Sequence, residues 1–406
     1  MTLRDDAISL HRMLKGKIEI RSRVSLDNAS DEKGTLGLIY TPGVAYVALE
    51  ISNRKKLAYD YTSKWNNVAI VCDGTRVLGL GNIGPEGALP IMEGKSVLFK
   101  ALGDINAIPL CINTQDKEEI IRFVKIIQPN FGAINIEDIE SPKVLEIVER
   151  LSKEVSIPVF HDDQHGTAII TLAALLNALK LVKKELEKVR VVISGSGSAG
   201  YGIFKILQTA GCKDIIVTDT KGAIYDGRAD INDRNPYKKE ISINTNITKL
   251  SGTLQDVISE SDIFIGVSGK TDILNKQMIE SMNQDSIIFA LSNPDPEILP
   301  NYALEYGARI VATGRSDFPN QINNAVVFPS IFRALLDLRA NNLSEFMLVS
   351  VAYAIASIVE EVHLKDDYII PKVDDPRILP IVTKTIKKVL GAHVRNKDNS
   401  AKNLKN

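Results

Sequence analysis

Two pairs of adjacent acids, Glu137–Asp138 and Asp162–Asp163, each end a short apolar run, GAINI before the first and IPVFH before the second. Neighbouring carboxylates are costly to hold together unless positive charge sits between them. Hard oxygen donors of this kind suit Mg²⁺ or Mn²⁺, and open α/β sheets place ligands at the carboxyl ends of their strands. Taken alone, the four acids also read as solvated loop acids. His161 and His165 flank the second pair. With no cysteine and no third histidine beside them, they read as supporting residues rather than zinc ligands.

A second chemical signal lies downstream. Gly195, Ser196, Gly197, Ser198, Ala199 and Gly200 spell G-x-G-x-x-G directly after the apolar run VRVVIS. The first glycine permits a tight turn, the second lets the backbone approach a pyrophosphate, and the third lets helix and strand pack closely. The following helix would aim its free N–H groups at the phosphates. Asp219 ends the next apolar run, DIIVTD. A carboxylate there accepts from a free ribose 2′-OH and repels a 2′-phosphate, which favours NAD. Lys221, two residues on, could offset that repulsion and leaves NADP open.

These residues need a scaffold that brings strand ends together. Apolar runs at 66–73, 108–113, 132–138 and 157–163 alternate with helical patterns at 117–128 and 141–154. A long helical pattern at 167–188 is followed by strand-like runs at 189–194, 214–219, 262–268, 286–293 and 308–314. Strand and helix in alternation argue a mostly parallel α/β sheet, twice over. Residues 1–30 read as a short helix and an extended segment, Asp27 to Gly37 as a turn-rich loop, 320–364 and 376–391 as helical, and the tail from Arg395 as polar and frayed. The seam between two α/β domains falls near 160–165.

Composition sets limits. The chain has 406 residues, 49 Lys plus Arg against 50 Asp plus Glu, and 44% apolar residues. This balance argues against a nucleic-acid binder and against bulk disorder, and the length predicts two domains. Cys72, Cys111 and Cys212 form no metal-spacing motif and number three, which points to a reducing compartment. No unbroken apolar run approaches the length of a membrane span. A cytoplasmic protein without membrane partners is expected.

Taken together, the motifs resemble the malic enzymes, in the short form found in bacteria and archaea. The matching stretches are YTPGVA (40–45), DGTRVLGLGNIGPEGALPIMEGKSVLFK (73–100), NIEDIE (135–140), FHDDQHGTAI (160–169), the GSGSAG turn, FALSNPDPEI (289–298) and INNAVVFPSIF (322–332). The resemblance implies an N-terminal α/β substrate domain (1–160), a Rossmann-like doubly wound parallel-sheet domain with C-terminal helices (161–394) and a polar tail (395–406). It implies Lys95 as general base, Tyr40 as general acid and Asp162 as the partner that tunes the lysine. Glu137, Asp138 and Asp163 correspond to the ligands of Mn²⁺ or Mg²⁺. Arg76 corresponds to the arginine on a malate carboxylate, and Asn293 and Asn324 to asparagines near substrate and nicotinamide. The implied reaction is oxidative decarboxylation of (S)-malate to pyruvate and CO₂ with reduction of NAD or NADP, in a homodimer or higher homo-oligomer.

Two other functions share this pattern: a malolactic-type lyase, giving lactate and CO₂ with NAD retained, and a non-catalytic nucleotide-binding regulator. The intact set of acids with Lys95 and Tyr40 argues against the regulator. Ser196 and Ser198 stand where the family shows small apolar residues, and Asp295 where a neutral residue is expected. The chain also lacks the phosphotransacetylase-like region of longer members, which implies no acetyl-CoA-type control.

Overall fold

The computed structural model describes residues 2–26, 35–77 and 79–403. Two sheets organise them. The first is wholly parallel, with strands β1 (Asn67–Cys72), β2 (Asn106–Cys111), β3 (Ala133–Glu137) and β4 (Val159–His161) in the order β2-β1-β3-β4. The second holds β5 (Arg190–Ser194), β6 (Asp214–Asp219), β7 (Gly222–Ala223), β8 (Ile263–Gly266), β9 (Ile287–Ala290) and β10 (Ile310–Thr313), in the order β10-β9-β8-β5-β6-β7. Only β7 runs antiparallel. The central strands are buried end to end, so they read as continuous apolar runs, as strands covered by helices on both faces must. This is the two-domain α/β architecture expected.

The helix Thr167–Val182 joins the two units. Eleven of its 16 residues are buried, and an apolar surface on nearly every side marks a core helix. One contiguous hydrophobic core runs from Val68 in the first sheet to Ile386 near the C-terminus.

The structure departs from the sequence reading in four places. The long helix ends at Val182 rather than continuing to 188, because Lys183 adopts a left-handed backbone (φ 55°) and its N–H caps the Leu179 carbonyl. Residues 320–364 are two helices, Phe328–Asp337 and Glu345–Ala356, the second started by Ser344, whose hydroxyl accepts the Met347 N–H at 3.2 Å. The last helix, Ile378–Asn403, runs through the tail expected to fray. Thr35 to Gly37, read as the end of the turn-rich loop, open the helix Thr35–Ile39, and the rest of that loop, residues 27–34, lies outside the described residues; residues 18–26 carry no helix, consistent with the extended segment read there.

The N-terminal helices stand apart from the core. Leu3–Leu14, Thr35–Ile39 and Val44–Asn53 contain no buried residue. Two stretches, Thr35–Asn53 and Asp162–Val182, have the length and hydropathy to cross a membrane. The second is two-thirds buried within the protein, whereas the first buries nothing.

Candidate active site

The helix Gly84–Gly103 buries Ala88, Met92, Ser96, Phe99 and Gly103. Their spacing of three or four residues makes one face, and Lys95 stands on its flank. The Lys95 ammonium reaches the sheet end, where Nζ lies 2.6 Å from Asp162 Oδ2 and also donates to Glu137 Oε1. The Phe328 ring closes over it at 4.7 Å. Burial works against the charged lysine, but Asp162 and Glu137 outweigh it and hold the ammonium above its ordinary pKa.

The sheet register explains the meeting. Cys111 on β2, Cys72 on β1 and Glu137 on β3 are Cα partners in one row, and the step from Ile136 opposite His161 puts Asp162 next in line. Partners in a row direct side chains to the same face. Glu137 keeps its other oxygen on Asn135, whose Nδ2 donates at 2.8 Å. Asp162 and Asp163 lie on a single π-helical turn, Asp162–Gly166, a distortion frequent at functional sites. Gly166 belongs there because a Cβ would come within 2.1 Å of Asp162 Oδ1.

Glu137, Asp138 and Asp163 each direct a carboxylate oxygen into one cluster, all within 4.8 Å of one another. Burial, reinforced by neighbouring carboxylates, raises Glu137 to about 7 and Asp138 to about 9. Two buried acids and a partly exposed third, mutually repelling and all offering oxygen, fit a hard divalent cation. His161 Nε2 lies 3.6 Å from Asp163 Oδ2, too far for a direct hydrogen bond. Burial lowers His165 to about 3, and its Nδ1 accepts the His161 N–H at 3.2 Å. It is a neutral brace for the turn.

The four acids line a cleft of about 430 Å³ between the two sheets, with Lys95 behind Glu137 and Asp162. Arg76, Glu137, Asp138, Asp162 and Asp163 form one wall, and Gly197, Ser198, Ala199, Asn293 and Asn324 the other. The exposed Arg76 is anchored by its backbone, its N–H donating to the Asp138 carbonyl at 3.1 Å. Opposite it, Gly269 leaves room: a Cβ there would come within 3.0 Å of the guanidinium. Asn324 is held by Thr167 Oγ1 at 3.1 Å and the Asp162 carbonyl at 3.4 Å.

The glycine turn links β5 to the helix Ser198–Thr209. Gly195 has φ +118°, and a Cβ on Gly200 would meet the Gly195 carbonyl oxygen at 1.9 Å. A Cβ on Gly197 would meet nothing closer than 4.0 Å, so its backbone faces open cleft, as a pyrophosphate requires. Asp219 is differently placed from the sequence expectation. Arg228 binds it in fork geometry (Nη1 to Oδ1 3.0 Å), and Lys238 Nζ reaches Oδ2 at 2.8 Å. Burial opposes the Asp219 charge, yet these cations bring it down to about 2. The side chain of Lys221 turns instead to Asp230, at 3.1 Å.

Tyr40 does not join the cleft of its own chain: it does not line it and is 67% exposed. Three features escaped the sequence reading. Arg228 and Lys238 carry no motif. Phe328 and Glu297 lie inside quoted motifs but look like packing. Glu297 is fully buried; its carboxylate accepts the Ser292 hydroxyl and the Ser292 and Ser268 N–H groups, and Ser292 Oγ accepts the Gly269 N–H at 2.9 Å. It ties together the loops after β8 and β9 that line the cleft.

Two α/β units, a glycine turn that opens on a cleft and a carboxylate cluster that lines it, backed by Lys95, define a two-domain nucleotide-dependent oxidoreductase. Comparison with known proteins sharpens this. Residues 15–152 match the family model "Malic enzyme, N-terminal domain" and residues 164–389 match "Malic enzyme, NAD binding domain". The bifunctional malic/malolactic enzyme of Bacillus subtilis is 50% identical over 96% of this chain and 93% of its own. An NADP-dependent malic enzyme of Halomonas elongata is 40% identical over 94% and 92%. The crystal structure of an NAD-dependent malic enzyme from Thermotoga maritima superposes with a TM-score of 0.89 at 46% identity, covering 94% of this chain and 99% of that one. The chain belongs to the malic enzyme family.

Proposed function

We propose that the protein oxidises and decarboxylates (S)-malate to pyruvate and CO₂, reducing NAD or NADP, with a divalent metal bound by Glu137, Asp138 and Asp163. The observation that carries this reading is Lys95, clamped between Asp162 and Glu137, two carboxylates that line the cleft together with the glycine turn. Bound Mg²⁺ or Mn²⁺ would supply Lewis-acid stabilisation of negative charge on the substrate oxygens.

Arg76 holds a malate carboxylate, for which its planar fork suits better than an ammonium. Lys95, once it has given up its own proton, takes the proton of the C2 hydroxyl, and a bound NAD or NADP would supply the hydride acceptor for C2. Glu137 is shared between Lys95 and the acid cluster, so engaging it elsewhere withdraws one of the two charges that keep the lysine protonated. Asp162 remains to orient the amine. Loss of CO₂ from the oxidised substrate leaves an enol, whose C3 needs a proton, and Tyr40 is the donor this reading assigns. Because Tyr40 is outside its own cleft, the reading includes a homodimer in which the exposed N-terminal helices carry Tyr40 to the neighbouring chain's site. The unburied apolar side chains there, among them Leu36, Leu38, Ile39 and Val44, support such a covered face.

For the nucleotide, the Arg228–Lys238 pair around Asp219 supports acceptance of NADP as well as NAD, because the carboxylate is already neutralised and largely occupied. The B. subtilis relative's bifunctional name favours a second reading, malolactic turnover on the same cleft. An absorbance assay with (S)-malate, Mn²⁺ and either nucleotide tests both. Reduced nicotinamide with equal pyruvate is expected with each nucleotide. Lactate without net reduction would replace the first reading by the second, and no product would remove both.

A further inference from the structure

The row of residues that ends at the lysine clamp begins with two thiols. Cys111 on β2 and Cys72 on β1 are direct Cα partners, and Glu137 follows Cys72 in the same row. Neighbouring strands lie about 4.8 Å apart, within the Cα separation of about 4.4–6.8 Å that a disulfide spans. Both side chains point to one face of the sheet. Cys72 is fully buried, while Cys111, on the edge strand, is partly open to solvent. Both are free thiols. A hydrogen bond from Cys72 stabilises the Cys111 thiolate and holds its pKa below the ordinary value, against burial and the charge of Glu86. A partly accessible thiol of lowered pKa, facing a second thiol across one strand spacing, is the arrangement of a peroxide-sensitive pair.

We propose that Cys111 and Cys72 form a reversible disulfide on exposure to a peroxide, and that this bond slows turnover by displacing the end of β1. The Cys111 thiolate attacks one peroxide oxygen, the O–O bond breaks, and hydroxide leaves to become water. Cys111 is then a sulfenic acid. The Cys72 sulfur attacks it, the S–O bond breaks, and the departing oxygen leaves as water with the Cys72 proton. Two thiols give up two electrons to one peroxide, and a dithiol reductant restores them. A disulfide holds its Cβ atoms about 3.5–4.5 Å apart, closer than the about 4.8 Å spacing of neighbouring strands. The bond therefore draws the ends of β1 and β2 together. Cys72 leads directly into Asp73, which Lys143 holds at 2.9 Å, and into Thr75, whose hydroxyl accepts the Glu140 N–H at 2.9 Å. That loop places Arg76. Pulling β1 away from β3 shifts Arg76 and Glu137 relative to each other, and a displacement of about 1 Å can cost about 100-fold in rate.

The test treats the full-length protein with hydrogen peroxide, alkylates free thiols, digests it and searches by mass spectrometry for the Cys72–Cys111 peptide pair. Malate-dependent nucleotide reduction is measured before treatment, after it and after dithiothreitol. The native protein and Cys212→Ser should give the linked peptide and lose about tenfold or more in rate, recovered by the reductant. Cys111→Ser should give no linked peptide and keep its rate through treatment. No linked peptide in the native protein overturns the pairing. A linked peptide with unchanged rate, or equal inactivation of Cys111→Ser, overturns its effect on turnover. The linked peptide reports the pairing whatever reaction the cleft performs, so a failure of the malate assay is a separate result.

Discussion

Lys95 is a buried cation whose proton is held by two carboxylates, and the same proton must leave before the residue can act as a base. Buried pairs of this kind are weak evidence for stability, because desolvation offsets most of the attraction. Here Glu137 belongs to both the lysine pair and the acid cluster, which suits a residue made to change partners. Lys95→Ala should lower kcat by about 10²- to 10⁴-fold, the usual worth of a positioned base, while nucleotide affinity measured by fluorescence titration stays near native. A parallel loss of nucleotide binding would show that Lys95 supports the fold of the cleft rather than the proton transfer. Most of this site was legible in the sequence, since the acids, the lysine and Arg76 lie in long ordered motifs. The partners of Asp219 were not. Arg228 and Lys238 stand 9 and 19 residues beyond it and look like any surface cations until the chain after β6 folds back.

At the scale of elements, the cleft depends on loops after strands, and loops need internal fastening. Glu297 fastens two of them from inside. A carboxyl buried among neutral donors has no cation to offset its desolvation, and burial raises its pKa despite three hydrogen bonds. The folded state therefore holds this proton to higher pH than the unfolded chain does. Its contribution to stability is greatest at low pH and declines as pH rises through the folded value. Glu297→Gln should remove that slope, so urea unfolding at pH 5 and pH 8 should show the variant gaining on the native protein at the higher pH. Glu297→Ala, which leaves the Ser292 and Ser268 N–H groups without their acceptor, should lose about 1–3 kcal/mol and raise the nucleotide KM. A Gln variant that loses ground as pH rises would show that the carboxylate is the form the loops require. The strands themselves were readable because parallel strands are apolar throughout. The helix ends were not, because one left-handed residue such as Lys183 or one serine cap such as Ser344 stops or starts a helix against the general pattern.

At the scale of the whole molecule, the N-terminal helices present apolar, unburied surface that carries Tyr40. A homodimer that exchanges Tyr40 makes a sharp prediction. Tyr40→Phe and Lys95→Ala homodimers should each be nearly inactive. Unfolded together and refolded, they should regain about a quarter of the native rate, because half the dimers are mixed and each mixed dimer holds one complete site. No recovery would place Tyr40 and Lys95 in the same chain's site or outside the reaction.

The sequence by itself determined the class of fold, the family and the acids, lysine and glycines of the site, because each is carried by a local pattern: an apolar run, a turn that only glycine permits, a motif whose residues are contiguous. Tertiary structure alone decided which of them meet. Glu137 and Asp162 share Lys95 because parallel register puts β3 beside β4 and a helix flank above them. Asp219 is occupied because the chain returns over it, Tyr40 is left outside because its helices bury nothing, and Cys72 meets Cys111 because two strands 39 residues apart stand side by side in register. Contacts of that kind depend on long-range packing, and no local pattern of residues records them.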